Sequence, residues 1–196
     1  WLYRLKCRGE DGVFRPVNRI DKTTSGLVLC AQNAFAAPEL AKTAQKCYLA
    51  LVEGPLPVGS GRIDVQIARR GDSIIGRCVR EDGKPSVTEY TVLAASASHA
   101  LVSCFPVTGR THQIRVHFSW LGHPLAGDSL YGGHTDIIAR HALHCAVLRF
   151  NRPADHEPRR VQSPLPEDFL AACCAAYLPD KEEIQTMLQS VLPCAE

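Results

Sequence analysis

The sequence lacks the long apolar run that a membrane-spanning helix requires. Such a helix needs roughly 20 consecutive apolar residues, and no stretch of the 196 residues approaches that length, although 45% of them are hydrophobic. The first residues, WLYRLKCRGEDG, also lack the apolar core of a signal peptide. We therefore expect a soluble protein with one core and no membrane partner.

Several motifs of common enzyme classes are also missing. The chain has no G-x-x-x-x-G-K-[ST], no G-x-G-x-x-G after a strand and no G-x-S-x-G, which argues against nucleotide-cofactor enzymes and serine hydrolases. His112 and His117 are five residues apart on a predicted helix and do not share a face, and no cysteine pair has zinc-finger spacing. We therefore expect no bound zinc.

Cysteines and charges are present in informative patterns. The nine cysteines are odd in number, scattered and mostly set among apolar neighbours, which suits free thiols in a reducing compartment such as the cytoplasm. Residues 1–153 hold 19 Lys and Arg against 12 Asp and Glu, a net of +7, whereas residues 154–196 hold 3 against 8, a net of −5. The basic part favours a polyanionic partner, although a solvated surface of mixed charge explains the same split.

Hydrophobic periodicity predicts more strands than helices. Predicted strands cover residues 27–31, 46–54, 62–68, 72–80, 86–95 and 100–107. Predicted helices run from the capping residue Asn33 to about 44, through GRTHQIRVHFSWLGHP, and over two C-terminal segments, 165–178 and 181–192, while 142–150 fits either type. Strands joined by hairpin-like turns indicate an α+β domain with a largely antiparallel, mixed sheet flanked by helices.

Three stretches could carry chemistry. Asp21, in VNRIDKTTSG, is either an Asx-type cap of its turn or a functional carboxylate kept ionised by a cation, with Arg19 as one candidate. In TGRTHQIRVH, His112 and Arg115 share a helix face, which is either a phosphate or carboxylate site at a helix start or a basic solvent face. Tyr48 lies on a predicted strand, where an aromatic is usually core but could line a cleft.

Four ordered segments resemble one known family. NRIDKTTSGLVLCAQN, KCYLALVEG, GRTHQIRVHFSWLGHPLAGDSLYGG and RHALHCAVLRF occur in the order and spacing of RluA-type pseudouridine synthases, from residue 17 to about 152. SPLPEDF extends the likeness to about residue 178. The resemblance implies a single catalytic domain over 1–178, followed by a C-terminal helical tail over 179–196. It further implies an isomerase that converts uridine in structured rRNA or tRNA to pseudouridine, acting as a monomer without metal or organic cofactor.

The resemblance also implies roles for individual residues. Asp21 matches the family's nucleophilic aspartate, Arg115 the arginine that pairs with it, and Tyr48 the tyrosine that packs against the target base. Arg19 matches the arginine that enters the RNA stack during base flipping, and Leu143 the apolar residue on the other side of the base. The remaining RNA-binding positions form a wall of the site: Arg110, His112 and Gln113, with Gly109 and Thr111.

The sequence departs from the family pattern in two places. Asn18 stands where the family usually has histidine, which removes a titratable ring but keeps a donor and an acceptor. The sequence does not show the strands that normally precede the aspartate motif, with their Lys-Pro segment, so we expect it to be either a fragment or a chain from which disordered residues were left out. Two alternatives therefore stay open: a catalytically silent RNA-binding protein, and a hydrolase of small substrates with an Asp21 nucleophile and a His112 base.

Overall fold

A computed structural model describes residues 15–71 and 73–189. Two sheets and four helices make up this part of the chain. The strands are β1 (Arg15–Pro16), β2 (Ser25–Gly26), β3 (Cys30–Ala31), β4 (Gln45–Glu53), β5 (Gly59–Arg69), β6 (Arg77–Val79), β7 (Lys84–Ala95), β8 (His99–Pro106), β9 (Leu143–Asn151) and β10 (Pro158–Gln162). The helices are α1 (Ala36–Thr43), α2 (Gln113–Trp120), α3 (Glu167–Ala175) and α4 (Lys181–Gln189).

The main sheet is mixed and mostly antiparallel. Its strands follow the order β10-β9-β4-β8-β7-β5-β6, and every neighbouring pair in that order is antiparallel. The short β2 adds a parallel pairing on β9, with Ser25 opposite His144 and Gly26 opposite Cys145. β1 and β3 form a separate two-stranded sheet. The predicted α+β class with a largely antiparallel mixed sheet is confirmed.

The central strand β4 is buried on both faces, which makes the fold three layers deep. Its odd-numbered residues from Cys47 to Leu51 join a core with α3 and α4, in which Phe169, Ile184 and Leu188 are fully buried. Its even-numbered residues from 48 to 52 join a second core with α2. Successive strand residues point to opposite faces, so one strand supplies both cores.

Side chains mark where the helices begin. Asn33 Oδ1 accepts from the Ala36 amide at 2.8 Å, so the predicted capping side chain bonds to the first residue of α1, although Phe35 is the residue directly before the helix. Asp180 Oδ1 accepts from the amides of Glu182 and Glu183 at 2.9 and 3.0 Å at the start of α4. Across residues 15–71 and 73–189, no helix is both long enough and apolar enough to cross a bilayer.

Two strand predictions are wrong in part and one ambiguity is resolved. Of the described part of the predicted strand 72–80, only Arg77–Val79 lies in a strand, and residues 73–76 do not. Of the apolar run 27–31, the structure places only Cys30–Ala31 in a strand, and Val28 is 40% exposed. Residues 27–29 do not form a strand because their main-chain groups bond to two different segments. The Leu27 amide donates to the Cys145 carbonyl, and the Val17 amide donates to the Leu29 carbonyl. Residues 143–151 form strand β9 rather than a helix. The proposed division at residue 178 stays a prediction.

Candidate active site

Asp21 opens a tight turn whose closure does not use its carboxylate. The Thr24 amide donates to the Asp21 main-chain carbonyl at 3.0 Å, which closes the turn through the backbone. The side chain is 23% exposed, and Oδ2 accepts from Arg115 Nη1 at 3.2 Å. The carboxylate is therefore paired with a cation 94 residues away in the sequence, and the alternative of a simple turn cap does not describe it.

Strand β9 and the residues just before it hold this turn in place. His141 contacts Thr23 Oγ1 through Nδ1 at 3.1 Å and Thr24 Oγ1 through Nε2 at 2.7 Å. Ser25 Oγ lies 2.9 Å from His144 Nδ1. Gly26 is required where β2 meets β9, because its φ is +104° and an added Cβ would lie 2.2 Å from the Cys145 carbonyl oxygen.

Arg115 lies in the first turn of α2 and joins two carboxylates. Its Nε and Nη2 donate to Asp128 Oδ2 and Oδ1 at 2.7 and 2.8 Å, a bidentate pair, while Nη1 is left for Asp21. Its side chain is only 7% exposed, and its guanidinium carbon lies 4.9 Å from the centre of the Tyr131 ring. Burial alone would lower the pKa of Arg115, but the hydrogen bonds and charges of Asp128 and Asp21 together raise it. The alternative of a basic solvent face is therefore wrong for this residue.

The neighbouring side chains of His112 and Gln113, at the start of α2, make different contacts. The helix begins at Gln113, and His112 has left-handed backbone angles, φ 58° and ψ 19°. Both ends of the Gln113 side-chain amide form hydrogen bonds. Its Oε1 accepts from the Arg110 main-chain amide at 3.0 Å and from Thr108 Oγ1 at 2.7 Å, and its Nε2 donates to the Val87 carbonyl at 2.8 Å. Gln113 therefore holds the wall of the site together, whereas the His112 ring faces Asp21.

Tyr48 and Leu143 line the same cleft as Asp21. Tyr48 lies at an irregularity between β4 and β9 that follows Cys47. Both side chains are nearly buried, at 7% and 4% exposure. Burial first, and then the neighbouring Cys145 and Asp21, raise the pKa of Tyr48 well above its ordinary value. Tyr48 is therefore a neutral, largely apolar surface at neutral pH.

Cations surround the mouth of this cleft, which we define by Asp21, Tyr48, Arg110, His112, Arg115 and Leu143. Arg19 and Lys46 also line it, and both Arg19 and Arg110 are exposed. Arg110 and Gly109 are shared with an adjacent groove. Further cations line that groove: Arg69, Arg77 and Lys84. The open, basic surroundings match an anionic polymer better than a small apolar substrate.

Sequence reasoning missed three residues that organise the site. Asp128 and Tyr131 lie in the quoted GDSLYGG segment, but a carboxylate between glycines and serines reads as an ordinary turn residue, and nothing local shows that it meets Arg115. His141 lies directly before the apolar segment 142–150, and nothing in the local sequence shows that it contacts Thr23 and Thr24. Asn18, noted as a departure, holds the Asp21 segment: its Oδ1 accepts from the Leu29 amide at 2.6 Å and its Nδ2 donates to the Leu27 carbonyl at 3.4 Å.

Comparisons with known proteins agree on one family. Residues 3–120 match the family described as RNA pseudouridylate synthase. The uncharacterized RNA pseudouridine synthase YjbO of Bacillus subtilis is 43% identical over 158 residues, which are 78% of this chain and 56% of that protein. Ribosomal large subunit pseudouridine synthase D of Xanthomonas campestris is 39% identical over 172 residues, which are 78% of this chain and 52% of that protein.

A solved structure supports the same assignment. Human RNA pseudouridylate synthase domain containing 1 superposes with a TM-score of 0.73 at 30% identity, covering 100% of this chain and 85% of that one. The chain spans about half the length of the curated relatives it matches. From the matched family, the relatives and the shared fold, the chain belongs to the RNA pseudouridylate synthase family, and its resemblance to RluA-type members is confirmed.

Proposed function

We propose that this chain is an RNA pseudouridine synthase that isomerises uridines in structured rRNA or tRNA. One observation carries the proposal: the Asp21 carboxylate and the Arg115 guanidinium, 94 residues apart, meet at 3.2 Å in a cleft also lined by Tyr48 and Leu143. The relatives named above support the RNA substrate class. We further propose that the chain acts as a monomer. Free thiols at all seven cysteines of the described part support a reducing, cytoplasmic location.

The apolar and cationic side chains of the cleft suit a uridine base that has flipped out of the RNA stack. Extruding a uridine costs a few kcal/mol, which phosphate contacts and stacking on aromatic or apolar side chains offset. Tyr48 and Leu143 offer the two apolar surfaces, and Arg19 at the rim fills the space that the base vacates. Arg110 and the adjacent groove supply phosphate contacts, while His112 and Gln113 form the wall.

The reaction needs a nucleophile but no oxidant. The N1–C1′ bond breaks, a C5–C1′ bond forms, the C5 proton leaves and N1 gains a proton, so product and substrate are isomers. Asp21 is the nucleophile, attacking either C6 of the base or C1′ of the sugar, and Arg115 holds its carboxylate in position. Burial keeps Tyr48 protonated, which suits packing against the base.

Loss of the C5 proton gives a direct test. Bulk rRNA and tRNA labelled with tritium at uridine C5 should release tritium to water with the native chain and none with Asp21→Asn, which preserves shape but not charge. RNA binding by Asp21→Asn should stay near the native value. Binding by the native chain without tritium release from either RNA would instead support the silent RNA-binding protein.

A further inference from the structure

His112 stands between the nucleophile and a buried tyrosine. Its Nε2 lies 4.0 Å from Asp21 Oδ1, and its Nδ1 lies 2.7 Å from the Tyr131 hydroxyl. A separation of 4.0 Å is too long for a hydrogen bond, so the Nε2 side of the ring faces the cleft without being held by Asp21. The left-handed backbone, φ 58°, aims the ring there.

The contacts of Tyr131 decide which nitrogen of His112 carries the proton. The Tyr131 hydroxyl oxygen accepts from the Arg77 main-chain amide at 3.0 Å. The hydroxyl proton then needs an acceptor, and His112 Nδ1 is the one in contact. A neutral imidazole has one N–H and one bare nitrogen. If Nδ1 accepts, the proton is on Nε2 and points into the cleft.

The surroundings keep this ring neutral. Burial is the largest influence and lowers the pKa of His112. The charged side chains that act on the ring are two anions and two cations: Asp21, Asp128, Arg115 and Arg77. The anions raise the pKa and the cations lower it, so they oppose one another. The Tyr131 ring packs against the imidazole edge-to-face at 5.6 Å and fixes its plane.

Building on the proposed function, we propose that His112 is a further catalytic residue that donates its Nε2 hydrogen to a carbonyl oxygen of the flipped uracil, and that Tyr131 is the positioning residue. Attack at C6 moves negative charge onto the uracil O4 as the adduct forms, and attack at C1′ moves it onto O2 and O4 as the N1–C1′ bond breaks. A fixed neutral donor stabilises that charge without giving up its proton. Asp21 remains the nucleophile.

The first test is spectroscopic and needs no catalysis. Two-bond hydrogen–nitrogen correlations on 15N-histidine-labelled protein should show His112 protonated at Nε2 alone at pH 7. In Tyr131→Phe the pKa of His112 should rise, because a hydrogen bond that favours the neutral ring is lost. A His112 that is protonated at Nδ1 or charged at pH 7 would overturn the inference.

The second test compares two neutral replacements. His112→Gln can place an amide N–H near the Nε2 position, whereas His112→Asn keeps a residue type that favours left-handed angles but is too short to reach. We expect kcat for tritium release to fall about 10²-fold in His112→Asn and much less in His112→Gln. Both variants remove the same ring from the wall of the site, so any change in the RNA Kd should be the same in the two. Thermal unfolding of both variants checks that they fold.

Equal losses in the two variants, or no loss in either, would overturn the donor role. An absence of tritium release from the native chain would instead remove the proposed function, while leaving the tautomer result to stand or fall independently.

Discussion

Replacing Asp128 with asparagine should lower the free energy of unfolding far more than the same replacement at Asp168, which pairs with an arginine at the surface. Asp128 is 1% exposed and makes a bidentate pair with the buried Arg115. Removing one partner of a buried pair costs about 3–5 kcal/mol because the other charge stays buried. Here Asp21 still faces Arg115, so we expect the lower end, about 3 kcal/mol.

Asp168→Asn provides the matched control. Arg140 donates to Asp168 through Nε and Nη2 at 2.7 and 2.9 Å, the same bidentate arrangement, but the Asp168 side chain is 47% exposed. An exposed pair contributes about 0–1 kcal/mol. Both variants lose one negative charge from an arginine fork, and the main difference between the two pairs is their burial.

Urea unfolding and thermal scans of both variants measure this difference. For a chain of this size 1 kcal/mol shifts Tm by about 2–4 °C. Asp128→Asn should therefore lower Tm by about 6–12 °C and Asp168→Asn by no more than about 4 °C. Equal shifts in the two variants would refute the reasoning that Asp128 compensates the buried charge of Arg115.

Two more predictions concern pH and salt. Burial lowers the pKa of His117, His141 and His144 from 6.5 to about 4 in the folded chain. Below pH 6.5 these three histidines bind protons in the unfolded chain but stay neutral in the folded chain. The free energy of unfolding should therefore fall as the pH decreases from 6.5 to about 4, by up to about 1.4 kcal/mol per pH unit for each histidine. Equal urea midpoints at pH 7 and 5 would contradict this. RNA affinity should fall by about five log units per log of salt if about six phosphates are neutralised, and a flat salt titration would rule out the basic surface as the RNA contact.

Periodicity predicted the elements whose pattern reflects burial. The alternation of residues 47–52 indicated β4, and the spacing of Ile114 and Phe118 indicated α2, because both elements place side chains against a core. The run 27–31 misled for the same reason. Leu27 and Leu29 pack against the core, but their main-chain groups bond to the Asn18 side chain, to Val17 and to Cys145 of β9, and they do not form a regular strand ladder.

The sequence predicts only those site residues that lie in motifs shared with the family and have a role there. The resemblance predicts that Asp21 pairs with Arg115, but it does not single out Asp128, Tyr131 or His141. Their importance comes from what they meet across the fold: Asp128 meets Arg115, and His141 meets Thr23 and Thr24. No local pattern records such contacts, since the partners are set by how α2, β9 and the Asp21 turn dock.

The attachment of the Asp21 turn to β9 has a consequence for biogenesis. Ser25 and His144 are separated by 119 residues, so during translation the segment bearing Asp21 emerges long before the strand that will hold it. Contacts so distant along the polypeptide form late, because the intervening loop must close first. The cleft therefore reaches its final geometry only after β9 has been synthesised and has joined the sheet, although Asp21 itself is synthesised much earlier.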